Sequence, residues 1–138
     1  MFRSMLFAAL AVLVASPAAA GDITGVWLAH ARQAHIEMTR CGDAVCGRIL
    51  SASPAKTNPD LLDVHNKNPA LRTRKMIGVT FLEGFTGGPT KWTGGRLYNP
   101  DDGNFYRGVI VLVDENHLQL KGCAIVFLCK SQVLTRLQ

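Results

Sequence analysis

Between Ala34 and Cys41 the chain alternates: Ala34, Ile36 and Met38 are apolar, while His35, Glu37 and Thr39 are polar. A period of two sets these groups on opposite faces of a β-strand, one turned to a core and one to water. Residues 45–50 return as its hairpin partner, with Arg48 on the same face as Cys46 and Leu50. Further apolar, β-branched runs lie at 23–28, 77–85, 91–98, 105–113, 118–125 and 128–136. The turns between the later runs are Gly87-Gly88-Pro89, Asn99 to Gly103, Asp114-Glu115-Asn116 and Val126-Phe127. Glycine, Pro, Asn and Asp dominate the first three, each suited to a turn for its own steric or hydrogen-bonding reason.

Eight strands at this spacing predict an all-β fold: a single up-and-down antiparallel β-barrel of about eight strands. Closure disposes of exposed strand edges. A two-sheet sandwich is the other architecture compatible with the pattern. The densest stretch is Trp92 to Val113, two strands about the Asn99-Pro100-Asp101-Asp102-Gly103 turn. Within it, Gly94-Gly95 marks a bend or bulge in the wall. Residues 51–75 break the rhythm, with Pro54, Pro59 and Pro69 among Asn, Asp and Lys. They form one long crossing loop with at most a short helical turn, around 60–65 or 70–74. A loop of that length is often functional, and it can equally be a lid that plugs one end of the fold; the two readings are compatible.

The first twenty residues stand apart. Arg3 precedes a ten-residue apolar run, residues 6–15, and Ser16-Pro17-Ala18-Ala19-Ala20 supplies a break and a small-residue cleavage site. This is the anatomy of a secretory signal peptide, too short in its apolar part to span a bilayer. Its removal from the 138 residues leaves 118, from Gly21 to Gln138, enough for one domain, and lowers the formal charge from +5 to +4. That mild excess is scattered and lacks interleaved aromatics, so nucleic acid is not an expected partner. A periplasmic or secreted location follows, with no membrane span after cleavage.

All four cysteines, Cys41, Cys46, Cys123 and Cys129, lie in the mature part. Behind a leader an even count predicts disulfides. Three pairings exist; hairpin geometry favours Cys41–Cys46 and Cys123–Cys129. The spacings depart from zinc-site patterns, and Asp101-Asp102-Gly103 lacks the rhythm of a calcium loop. No metal or cofactor is expected.

Several motifs together resemble the secreted bacterial "domain of unknown function 2147" family. They are Gly25-x-Trp27, Cys41-Gly42-x-x-Val45-Cys46-Gly47-Arg48-Ile49, Leu71-Arg72-x-Arg74-x-x-x-Gly78 and Trp92-x-Gly94-Gly95-Arg96-Leu97-Tyr98-Asn99-Pro100-x-x-Gly103. Leu118-x-Leu120-Lys121-Gly122-Cys123 and the closing Thr135-Arg136 complete them. The resemblance implies a lipocalin-like barrel and brings no catalytic residues with it. Family members commonly carry Trp before the final Thr-Arg, where this chain has Leu134. Trp27 on the first strand and Arg136 on the last look like the lipocalin arrangement in which an Arg stacks on a Trp and closes the barrel base.

Nothing here calls for catalysis. His30, His35, His65 and His117 show no metal-binding or catalytic spacing, and no nucleophile elbow is present. The expected function is therefore non-catalytic binding of a small, partly apolar or amphipathic ligand, with Arg48, Arg72, Arg74 and Arg96 available to an anionic head group. Trp92 and Tyr98 either fill the core or line the pocket. The alternative is an envelope interaction or structural protein with a solidly packed barrel. An apolar cavity of a few hundred Å3 in the barrel distinguishes the first from the second.

Overall fold

A computed structural model describes residues 22–53 and 58–137; the leader expected at residues 1–20 lies outside them. The described chain forms nine strand segments: β1 (Gly25–Ala29), β2 (Ala34–Cys41), β3 (Ala44–Ser51), β4 (Thr80–Gly87), β5 (Lys91–Thr93), β6 (Arg96–Asn99), β7 (Asn104–Asp114), β8 (His117–Ile125) and β9 (Leu128–Arg136). Its helical elements are two three-residue 3-10 turns, His30–Arg32 and Pro69–Leu71.

Each strand pairs antiparallel with its neighbour, and β9 returns to β1 through Trp27 opposite Arg136 and Ala29 opposite Leu134. The sheet is thus a closed eight-stranded barrel, because β5 and β6 are the halves of one bent strand, both bridging β4 and β7. The bend falls at Gly94-Gly95. Gly94 has φ +75°, and a Cβ on Gly95 would come within 2.4 Å of the Phe85 ring. Only a bare backbone passes over that ring.

Alternation delivers the core. Trp27, Ile36, Met38, Leu82, Phe85, Ile110, Leu118 and Leu134 are all buried at 2% exposure or less, and Trp92 joins them. Each such side chain contributes about 1.5–3 kcal/mol by leaving water. Phe85 reaches across to β7, where a Cβ on Gly108 would meet its Cζ at 2.5 Å. Large residues from one wall therefore occupy the space that glycines leave on the other, and side chains fill the barrel's interior. Leu134, just before the closing Thr135-Arg136, is part of that filling.

Both ends are closed. At the base, Ile23 is buried and its carbonyl accepts a hydrogen bond from Trp27 Nε1 at 3.0 Å. The Arg136 guanidinium lies 4.2 Å from the Trp27 ring centroid and donates to the carbonyls of Glu115 (2.6 Å), Thr24 (2.8 Å) and Asp22. At the opposite end the crossing segment forms the plug. Asp63 and Asn66 are buried there beside Met76 and Val79. The Asn99–Gly103 turn seats this plug: any Cβ on Gly103 would collide with the His65 carbonyl oxygen, only 1.9 Å away. Arg32 pairs with Asp101 across the same rim.

The two disulfides are Cys41–Cys46 and Cys123–Cys129, each stapling one hairpin, as the spacing suggests. Among the described residues no helix is long and apolar enough to cross a membrane. These features are compatible with a location outside the cytoplasm.

Candidate functional site

The six residues expected to meet a ligand do not converge on one place. Trp92 and Tyr98 point into the barrel and are buried. Arg48 sits on the outer wall, paired with Glu37 across β2 and β3. Arg72 is spent on the plug, donating to the Asn66 carbonyl at 2.8 Å. Arg74 faces inward to Asp63 and borders one surface well, while Arg96 borders another.

Asp63 is the hub of the plug. Its fully buried carboxylate accepts from Tyr98 Oη at 2.5 Å, from Asn66 Nδ2 at 2.8 Å and from the Arg74 guanidinium at 2.8 and 2.9 Å. A buried charge on this scale is tolerated because every oxygen is partnered and Arg74 balances it. Burial, then the hydrogen bond to Asp63 and its negative charge, push the Tyr98 phenol up to about 12. The phenol therefore stays a donor at any physiological pH. This arrangement is structural: it ties the crossing segment to the wall and leaves neither oxygen of Asp63 free for a substrate.

The Arg96 well is different. Glu83, Arg96 and Arg107 form one row across β4, β6 and β7, with Glu83 opposite Arg96 and Arg96 opposite Arg107. With Gly84, Gly94 and Gly95 they line a depression of about 480 Å3 open to solvent. Gly84 and Gly94 are exposed and leave its floor bare, while Gly95, whose Cβ would meet the Phe85 ring, backs it from the buried side. Arg96 is held on two sides: its Nε lies 2.6 Å from Glu83 Oε1, and its Cζ lies 3.9 Å from the Phe105 ring centroid. Arg107 forms no ion pair among the described residues. Like charges directly opposite on neighbouring strands repel. Glu83 offsets one of the two, so the row keeps an excess positive charge.

A second well, also about 480 Å3, meets the first at Glu83 and is bordered by Arg74, Lys75 and Ile77 to Thr80. Its cations are already committed, Arg74 to Asp63 and Lys75 to Asp60 at 2.8 Å. The first well is therefore the better anion site. A guanidinium fixed by a carboxylate and an aromatic face presents its remaining N–H groups in a set direction, which suits bidentate recognition of carboxylate or phosphate.

Glu83, Arg107 and Asp63 were not singled out by the sequence. The row depends on strand register between β4, β6 and β7, and Asp63 lies in a polar segment where nothing local marks burial. The histidines border neither well. His30 contacts Thr135 Oγ1 at 2.8 Å, and His117 contacts Asp114 at 2.8 Å.

Comparison with known proteins agrees with this fold. A family described as "Uncharacterized protein conserved in bacteria (DUF2147)" matches residues 25–136. Among solved structures, protein HP1028 from Helicobacter pylori, described as belonging to the lipocalin family, superposes with a TM-score of 0.76. It shares 21% sequence identity, over 85% of this chain and 84% of that one. No curated protein matches the chain.

Proposed function

Since the chain belongs to the DUF2147 family and folds as a lipocalin-like barrel, we propose that it is a non-catalytic binding protein of the periplasm or cell exterior. It takes a small, partly apolar ligand by its anionic group, and it does so on the outer wall rather than in the lumen. The observation that carries this reading is the Arg96–Arg107 pairing over a glycine floor. The sheet tolerates two opposed guanidinium groups with a single carboxylate, Glu83, on the far side of Arg96, an arrangement that an incoming anion relieves. The packed interior argues in the same direction, because Phe85, Leu82 and Ile110 stand where a lipocalin ligand would sit. Phe105, 46% exposed next to Arg96, supplies apolar contact for the rest of the ligand.

Octyl phosphate and inorganic phosphate test the proposal by calorimetric titration. Octyl phosphate is expected to bind more tightly than inorganic phosphate. Arg107→Gln and Arg96→Gln should each weaken it about tenfold, the scale of one charge-assisted hydrogen bond. Arg48→Gln, remote from the well, should leave affinity unchanged. Failure of octyl phosphate to bind, or equal affinity in Arg107→Gln, overturns the reading. An envelope interaction role, the second reading, draws on a separate feature, the exposed tip of the β8–β9 hairpin.

A further inference from the structure

The tip of that hairpin breaks the pattern seen elsewhere in the barrel. Ile125, Val126, Phe127 and Leu128 are consecutive, apolar and exposed at 49, 94, 81 and 59%. Val126 and Phe127 occupy the two-residue turn itself, a place where Asn, Asp and Gly are the ordinary choice. Neither finds a packing partner in the core. The hairpin also outruns the barrel wall: β1 pairs with β9 only from Leu134 to Arg136, so β9 from Leu128 to Val133 has β8 alone beside it. The arm is nevertheless firm. Cys123 and Cys129 are bonded across it just below the tip, and Ile125 pairs with Leu128.

We propose that this stapled tip inserts into the surface of an anionic phospholipid bilayer. Charge complementarity selects that occupant. Lys121 and Lys130 are exposed on the arm, and the sequence from Asn116 to its end contains no Asp or Glu. The carboxylates of the Asn99–Gly103 turn, at the same end of the barrel, are committed, Asp101 to Arg32 and Asp102 to Tyr106. An apolar end backed by lysines is the arrangement of interfacial anchors, which bury hydrocarbon and hold head-group phosphates above it.

Backbone satisfaction is met as well. The ladder between β8 and β9 already pairs the peptide groups below the turn, so the tip carries few unpaired groups into the acyl region. At about 3.3 Å per residue, two residues per strand reach roughly 5–7 Å, the depth of the head-group boundary. A second protein is less well served. Four side chains offer on the order of 400 Å2, about half of the ~800 Å2 that a stable protein pair buries on each partner.

Flotation of the chain lacking residues 1–20 with vesicles provides the test. Vesicles of 70% phosphatidylcholine and 30% phosphatidylglycerol should bind it at least tenfold more tightly than pure phosphatidylcholine. The double variant Val126→Ser/Phe127→Ser should lose at least tenfold in affinity, with its thermal melt unchanged because both side chains are exposed. Lys121→Gln/Lys130→Gln should weaken binding several-fold and flatten its dependence on salt. Wild-type protein that fails to float with anionic vesicles, or a serine variant that floats as well as wild type, overturns the proposal. So does a wild-type dimer in solution that the serine variant converts to monomer, since the tip would then belong to a second copy. The anion well is intact in the serine variant, so its octyl phosphate affinity should persist; the two proposals fail separately.

Discussion

Tyr98→Phe removes one oxygen from the centre of the plug and changes little else. The deleted hydroxyl donates to Asp63 at 2.5 Å in a site where Tyr98 is 2% exposed and Asp63 fully buried. A hydrogen bond to a charged group contributes about 1.5–3 kcal/mol. Asp63 keeps Arg74 and Asn66, so the cost belongs near the middle of that range, about 2 kcal/mol at pH 7, or roughly 5–15 °C in Tm for a domain of this size. The pH dependence offers a second measure of the same buried site, in which burial of the phenol weighs first and the bond to Asp63 second. The phenol is raised from 10.0 to about 12, so the folded state holds its proton more tightly than the unfolded chain does. The resulting stabilisation is complete below pH 10 and fades as pH climbs through 12. Its full size is on the order of 2–3 kcal/mol. Urea unfolding followed by circular dichroism, from pH 7 to 12, reads both quantities. Wild type should lose stability between pH 10 and 12, and Tyr98→Phe should start lower and lose less over that interval. Tyr106→Phe serves as the control, because its hydroxyl pairs with Asp102 at the surface. A Tyr98→Phe protein as stable as wild type at pH 7, with the same alkaline slope, would refute the assignment of Asp63 and Tyr98 as the plug's anchor.

Two further outcomes follow from the packing. Gly108→Ala should destabilise the barrel by about 1–3 kcal/mol, because its Cβ would press on Phe85 at 2.5 Å; adding Phe85→Leu should recover part of that loss in a double-mutant cycle measured by urea unfolding. Arg136→Ala should cost about 1–2 kcal/mol through loss of the stack on Trp27 and of three carbonyl contacts, read as a lower urea midpoint; an unchanged midpoint would show that the base closes without it.

Much of the architecture was legible because it is written in local periodicity. Alternation from Ala34 to Cys41 and the spacing of apolar runs between turns located the strands, and the Gly94-Gly95 pair announced the bend that divides β5 from β6. Cysteine spacing within hairpins gave both disulfides. The site was less legible, for a physical reason. Alternation tells which residues share a face, but Arg96 and Arg107 become neighbours only through register between two strands, and Glu83 joins them from a third. For Trp92 and Tyr98 the core was the expected place and the pocket the other, since both fates require an inward side chain. Their burial in a filled interior decides for the core. The crossing segment hid the most. Asp63 resembles its exposed neighbours in sequence, and only the meeting of β6 with the plug makes it the buried partner of Tyr98 and Arg74.

Whether ligand is held outside the wall while the lumen stays packed can be read by mapping amide and methyl NMR shifts as octyl phosphate is added to the chain lacking residues 1–20. The largest amide changes should cluster at Glu83, Gly84, Gly94, Gly95, Arg96 and Arg107, with the methyls of Ile36, Leu82, Ile110 and Leu118 unmoved. Shifts concentrated on those buried methyls and on the indoles of Trp27 and Trp92, with the glycine floor silent, would place the ligand in the lumen and contradict it.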